Sequence, residues 1–219
     1  MWKIASNAVL DLFFPEQCGL CGLLGPAICP DCMRKFDASV PGRIRTESLA
    51  PLDEVIYAGN YFGLFERAIP LFKYNRKTTL ATPLAAILAE TYYAMQAEEY
   101  EAIIPVPLHW RRQWWRGFNQ SEALCEKLPK DKMLDHSLLR LRYTKQQVLL
   151  SREQRMLNIE GAIAVKSNSL KRVPTSVLLV DDVMTTGSTL RDCARALHEA
   201  GVGRIGALVL ASEYRSVSK

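Results

Sequence analysis

The chain has 219 residues, 48% of them hydrophobic and 23% charged, with a formal net charge of +5. This suits one ordinary domain with a small appendage and excludes wholesale disorder. No apolar run approaches the length that spans a bilayer, and so modest a charge says nothing by itself about nucleic acid.

The first stretch, residues 1–14, reads MWKIASNAVLDLFF. Asp11 interrupts its apolar run and no small-residue cleavage site precedes Pro15, which argues against a signal peptide. Ile4, Ala8 and Leu12, with Trp2 and Val9 beside them, fit one helical face. An amphipathic helix packed on the domain is expected, with membrane-surface contact as the alternative.

Cys18, Cys21, Cys29 and Cys32 follow in the spacing C-x2-C-x7-C-x2-C. Two such knuckles present a tetrahedral set of thiolates, the donor set Zn²⁺ prefers. Gly19, Gly22 and Gly25 let the backbone turn tightly, and Pro15, Pro26 and Pro30 stiffen it. Two disulfides or a redox pair are the competing reading. The lack of an export signal points to a reducing, cytoplasmic compartment, where disulfides are rare. A closed, structural zinc site is therefore expected. Cys125 and Cys193 stand apart, each among leucines at helical spacing, and are expected to be small core residues.

From Phe36 to Asp53 no period is visible, and Pro41, Gly42 and Pro51 suggest a linker. Glu54–Tyr61 is strand-like. Phe65, Ile69 and Phe72 have helical spacing, with Pro70 expected to kink the helix. Thr82 and Pro83 read as cap and first turn of the next helix, whose face continues through Leu84, Ile87, Leu88, Thr91 and Met95. A short strand from Ala102 to Ile104 runs into Pro105-Val106-Pro107. Asn119 and Glu122 resemble a capping pair opening a helix to Leu128. Ala162–Val165 is a further strand. Alternating strands and helices imply a mostly parallel sheet covered on both faces.

The most informative stretch is VLLVDDVMTTGSTL, residues 177–190. Val177–Val180 is a continuous apolar run, as a strand buried on both faces requires. Asp181 and Asp182 follow, and two acids there accept hydrogen bonds from vicinal sugar hydroxyls. Thr185, Thr186, Gly187, Ser188 and Thr189 supply hydroxyls and backbone N–H groups at a helix N-terminus, where the dipole favours a phosphate. The bland alternative is a strand end followed by an ordinary helix cap. A strand closing at Leu210 follows the helix, which Gly201 ends.

This motif resembles the type I phosphoribosyltransferases. The resemblance implies that the acids hold the ribose 2- and 3-hydroxyls of 5-phosphoribosyl-1-pyrophosphate (PRPP) and the loop its 5-phosphate. Pro105 and Val106 lie where those proteins, particularly of the glutamine amidophosphoribosyltransferase type, carry a pyrophosphate loop. The amidotransferase likeness stops there, since no glutaminase half with an amino-terminal cysteine is present. Taken together, CxxC…CxxC, LFKYN, IIPVPLH, RGFNQ, SREQRMLN and LLVDDVMTTGSTL resemble the ComF/GntX family over nearly the whole chain and in its order. That implies an α/β, type I phosphoribosyltransferase-like, doubly wound and mostly parallel sheet with a small N-terminal four-cysteine zinc module. The module, helix and linker would span residues 1–50 and the transferase-like domain residues 51–219. It also implies a link to natural competence and imported single-stranded DNA, with competence-machinery proteins as partners, and leaves enzymatic activity open.

Trp110, Arg111, Arg112, Trp114, Trp115 and Arg116 are compatible with DNA contact, because bases stack on aromatic rings while arginines track phosphates. Packing in a core or a subunit contact is the alternative. Lys73, in a basic cluster with Arg76 and Lys77, matches a family motif position and faces phosphate or DNA, or belongs to a solvated turn. Arg152 and Arg155 lie where related transferases carry a mobile hood; they reach pyrophosphate or pair with Glu153 and Glu160. Two function classes remain: a PRPP- and DNA-binding module, and a transferase with Mg²⁺ on PRPP. Localisation is expected to be cytoplasmic, with peripheral attachment at the inner face of the membrane as a further expectation.

Overall fold

A computed structural model describes residues 16–37, 40–45, 47–74, 78–108, 114, 117–141, 162–166 and 172–213. The helix expected over residues 1–14 lies outside them. The first described helix is α1 (Pro30–Asp37), followed by strand β1 (Gly42–Ile44), β2 (Glu54–Asn60), α2 (Leu64–Tyr74) and α3 (Ala81–Ala94). Then come β3 (Ala102–Pro105), α4 (Gln120–Leu124), β4 (Leu138–Arg140), β5 (Ile163–Val165), β6 (Ser176–Met184), α5 (Ser188–Glu199) and β7 (Arg204–Ser212). The main sheet has the order β1-β2-β7-β6-β3, parallel except for β1. β4 and β5 form a separate antiparallel pair.

Both faces of the sheet are covered, which is why its central strands read as unbroken apolar runs. The period of two divides them: Leu178, Val180, Leu208 and Leu210 face α2, α3, α4 and the cysteine module. Val177, Leu179, Ala207 and Val209 face α5 and the β4–β5 pair. Each such buried leucine or valine contributes roughly 1.5–3 kcal/mol relative to exposure. The module is fastened to the first face by Phe36 of α1, whose ring packs edge-on against Phe65 of α2 at 4.9 Å.

Three local expectations are corrected. The linker expected from Phe36 to Asp53 contains β1, which pairs antiparallel with β2 at the sheet edge. Three residues are too few to show a period; pairing and the Arg43–Glu54 ion pair at 2.9 Å hold them extended. Helix α3 starts at Ala81 after a 3-10 turn, without a Thr82 cap. The Thr82 hydroxyl instead donates to Glu126 at 3.0 Å. Asn119 caps α4 as expected, accepting from the Ser121 N–H, but Glu122 lies 3.7 Å from His136 and does not complete a capping box.

At the amino ends of the strands, opposite the site described next, Glu54 is buried. Its carboxylate meets Arg43, Arg45 and Arg204 and accepts from the Tyr100 hydroxyl at 2.8 Å. Burial alone would raise its pKa; the Tyr100 hydrogen bond and the Arg45 and Arg43 charges outweigh that and hold it below the ordinary value. Tyr100 fits beneath β7 only because position 206 is glycine, where a Cβ would stand 2.1 Å from the hydroxyl oxygen.

Candidate functional site

The site forms where two parallel strands part. β3 pairs with β6 only as far as Pro105 opposite Val180, whereas β7 follows β6 on to Met184. The chain leaves β3 toward α4 on one face and leaves β6 toward α5 on the other. A crevice between neighbouring strands whose connections diverge is where open α/β sheets bind ligands. Asp181 lines it from within β6, and Asp182 is buried directly behind.

Alternation along β6 sends the two carboxylates to different partners. The buried Asp182 pairs with Lys73, in the last turn of α2, with Nζ 2.8 Å from Oδ1. The partly buried Asp181 accepts at Oδ1 from the Ser121 hydroxyl at 3.0 Å and from the Asp182 N–H at 2.9 Å. Its pKa is nevertheless pushed up to about 6: removal from water and the neighbouring Asp182 charge outweigh Lys73 and these two hydrogen bonds. Such stored charge is expected of a site that waits for a ligand.

After β6 the chain turns through residues 185–187 into α5. Gly187 sits at the cap position with φ of 70°, and a Cβ there would meet Leu49 at 2.9 Å. The Thr186 and Ser188 hydroxyls lie 2.6 Å apart. Thr185, Thr186, Gly187, Ser188 and Thr189 line, with Asp181, one open concavity of about 250 Å³. The first backbone N–H groups of α5 carry the positive end of the helix dipole there. An anion at the loop and hydroxyls at the acids is the ligand chemistry this arrangement accepts.

Pro105 and Val106 are buried beside it; the Val106 N–H donates to the Val180 carbonyl at 2.9 Å. Lys73 belongs to the acid pair, which its sequence position did not reveal. Ser121 directly follows the RGFNQ motif, and its contact with Asp181 was not legible in sequence. Tyr61 was also missed: burial raises its hydroxyl pKa and the nearby Lys73 charge opposes that. Arg140, at the end of β4, has its pKa lowered by burial, which outweighs the neighbouring Asp181 and Asp192 carboxylates. Arg152 and Arg155 lie outside the described residues, as do Trp110, Arg111, Arg112, Trp115 and Arg116. Trp114 is described and is 83% exposed.

The cysteine module is a second, separate centre. The sulfur atoms of Cys18, Cys21, Cys29 and Cys32 all lie within 4.8 Å of one another, with Cys21 and Cys29 at 3.6 Å. A tetrahedral zinc with sulfur at about 2.3 Å needs neighbouring sulfurs roughly 3.8 Å apart, so the donor set fits the ion. The Cys29 N–H donates to Cys18 Sγ at 3.4 Å. Burial raises the Cys18 thiol, but the backbone N–H groups of Cys29, Cys21 and Leu20 outweigh it and bring it down to about 6, favouring thiolate. Cys125 and Cys193 are buried in the core, as expected.

Comparison with known proteins places the chain among named relatives. The family model described as phosphoribosyl transferase domain matches residues 140–218. Competence protein F of Haemophilus influenzae is 33% identical over 160 residues, 70% of each chain. Competence protein ComFC of Bacillus subtilis is 30% identical over 186 residues, 84% of this chain and 72% of that one. DNA utilization protein YhgH of Escherichia coli O6:H1 is 28% identical over 201 residues, 85% and 87% of the two chains.

Proposed function

The chain belongs to the ComF family, and on that premise we propose that it is a competence-type protein that binds PRPP or a related ribose phosphate and handles incoming single-stranded DNA. The observation that carries the reading is the shared concavity, in which Asp181 and the 185–189 loop stand together at the N-terminus of α5. The carboxylates accept the ribose hydroxyls, the loop and helix end hold the 5-phosphate, and Pro105–Val106 flank the pyrophosphate side. Arg152 and Arg155 are proposed for the pyrophosphate. The zinc module serves as structure.

For DNA, the proposal rests on exposed aromatics that follow the carboxyl ends of two strands of the sheet. Trp114 follows β3, and Phe62, 79% exposed, follows β2. Stacked bases contribute about 1–3 kcal/mol each, so changing Trp114, Trp115 and Arg116 together to alanine should weaken single-strand binding at least tenfold. Unchanged affinity in the folded variant removes these residues from the reading. Among the described residues no helix is long and apolar enough to cross a membrane; a cytoplasmic place, peripheral at the inner face of the membrane, is part of the proposal.

The test is a titration with PRPP and with single-stranded DNA, alone and in competition. PRPP binding that vanishes when Asp181 and Asp182 both become asparagine supports the cradle; PRPP binding unaffected by the double change refutes it. Mutual competition places DNA at the cradle, and additive binding places it elsewhere.

The match to a phosphoribosyl transferase domain favours a second reading, transfer of the phosphoribosyl group to an acceptor. Mg²⁺ held on PRPP would supply charge neutralisation at the pyrophosphate. The protein's own residues would orient the ribose, hold the phosphate and stabilise charge developing on the sugar. Pyrophosphate release from PRPP across a panel of bases and amines tests it.

A further inference from the structure

Asn119 of the RGFNQ motif and Ser121 directly after it are tied to two sides of the cradle. Asn119 donates from Nδ2 to the Val106 carbonyl at 3.3 Å, and its Oδ1 accepts from the Ser121 N–H at 3.1 Å. The Ser121 hydroxyl donates to Asp181 Oδ1 at 3.0 Å. Asp181 follows Val180, whose carbonyl accepts from the Val106 N–H at 2.9 Å. These contacts close a ring: loop 105–107, Asn119, Ser121, Asp181, β6 and back to the loop. Asn119 and Ser121 are buried, where hydrogen bonds keep their direction and an unmade one is costly. Among the described residues, Asp181 Oδ2 has no hydrogen-bond partner; Oδ1 is used inside the protein and Oδ2 remains for a ligand.

We infer that Asn119 and Ser121 are positioning residues that hold the Asp181 carboxylate at a set spacing from the 105–107 loop. The inference rests on the ribose-phosphate reading of the cradle. The spacing matters because one ligand must meet both ends: its ring hydroxyls at Asp181 and its anomeric substituent at the loop. The Thr185–Thr189 loop takes no part in the ring, so a free phosphate there is indifferent to it.

That difference supplies the test. Ser121→Ala keeps the α4 backbone cap and removes only the hydroxyl to Asp181. Isothermal titration with PRPP, ribose 5-phosphate and inorganic phosphate is compared in the wild-type protein, Ser121→Ala, and the Asp181→Asn/Asp182→Asn double variant. In Ser121→Ala, affinity for PRPP and ribose 5-phosphate is expected to fall roughly tenfold or more, while phosphate affinity stays at the wild-type value. If all three ligands weaken equally, the hydroxyl only maintains the fold and the inference is overturned. If PRPP binds Ser121→Ala as well as wild type while the double variant loses it, the inference fails and the cradle reading stands. If the double variant binds PRPP normally, the cradle reading itself fails. Should Ser121→Ala not fold, Ser121→Cys, with a weak donor of similar size, is expected to show the same split, and its absence overturns the inference.

Discussion

Replacing Asp181 with asparagine is expected to make the protein more stable at neutral pH. The folded state holds the Asp181 proton up to about pH 6, against an ordinary value of 3.8. At about 1.4 kcal/mol per pH unit, the gap sets a ceiling of about 3 kcal/mol on the penalty of ionising this acid in place. The sign follows from linkage. Between about pH 4 and pH 6 the folded state binds more protons than the unfolded chain, so stability contributed by this group falls as pH rises through that window. Above it the whole penalty is present. Asparagine cannot ionise and keeps an oxygen for the Ser121 hydroxyl and the Asp182 N–H, while Lys73 still pairs with Asp182. A gain of about 1–3 kcal/mol is therefore expected at pH 7.5, shrinking on acidification and absent near pH 4. Urea denaturation of both proteins at each pH measures it, and comparing them pairwise cancels any effect of the cysteine module. A variant that is equally or less stable at pH 7.5, or whose gain survives acidification, refutes the argument.

Glu54→Gln removes the buried charge that three arginines share, and is expected to cost about 2 kcal/mol at pH 7, less than a fully buried pair because the arginines keep some water. Because the Glu54 pKa is lowered in the folded state, the wild type loses this stabilisation as pH falls through that lowered value, and denaturation curves of the two proteins should converge in strong acid. Elemental analysis of the purified protein is expected to give one zinc per chain, and chelation should lower the melting temperature; no zinc with four oxidised cysteines would contradict the assignment. Gly187→Ala places a Cβ in a left-handed turn against Leu49 and should cost about 1–2 kcal/mol, with weaker phosphate binding in the same titration.

Local signals in the sequence proved reliable where one segment contains the whole cause. The run Val177–Val180 reads as a strand because both sheet faces are covered, and Gly201, with φ of 95°, ends α5 where expected. Asn119 caps its helix because its partner is two residues away. Thr82 has the same capping chemistry, yet it does not cap, because the 3-10 turn Thr78–Leu80 runs straight into α3 and puts Leu80 at the cap position and Thr82 inside the helix. β1 and β4 carry too few residues to declare a period and exist through pairing with β2 and β5.

The same division runs through the site. Two acids, a hydroxyl-rich loop and a helix start are contiguous in the chain, so sequence alone determined that these groups stand together at the end of β6 and the start of α5, and the paired C-x-x-C spacing determined the sulfur donors of the module. What holds those acids is not contiguous. Lys73 reaches Asp182 from α2, Ser121 reaches Asp181 from α4, and Asn119 ties both acid and motif to the loop after β3. Only the tertiary structure decided these contacts, because sheet order and helix packing bring the segments together, and no local pattern encodes the neighbours a buried carboxylate will have.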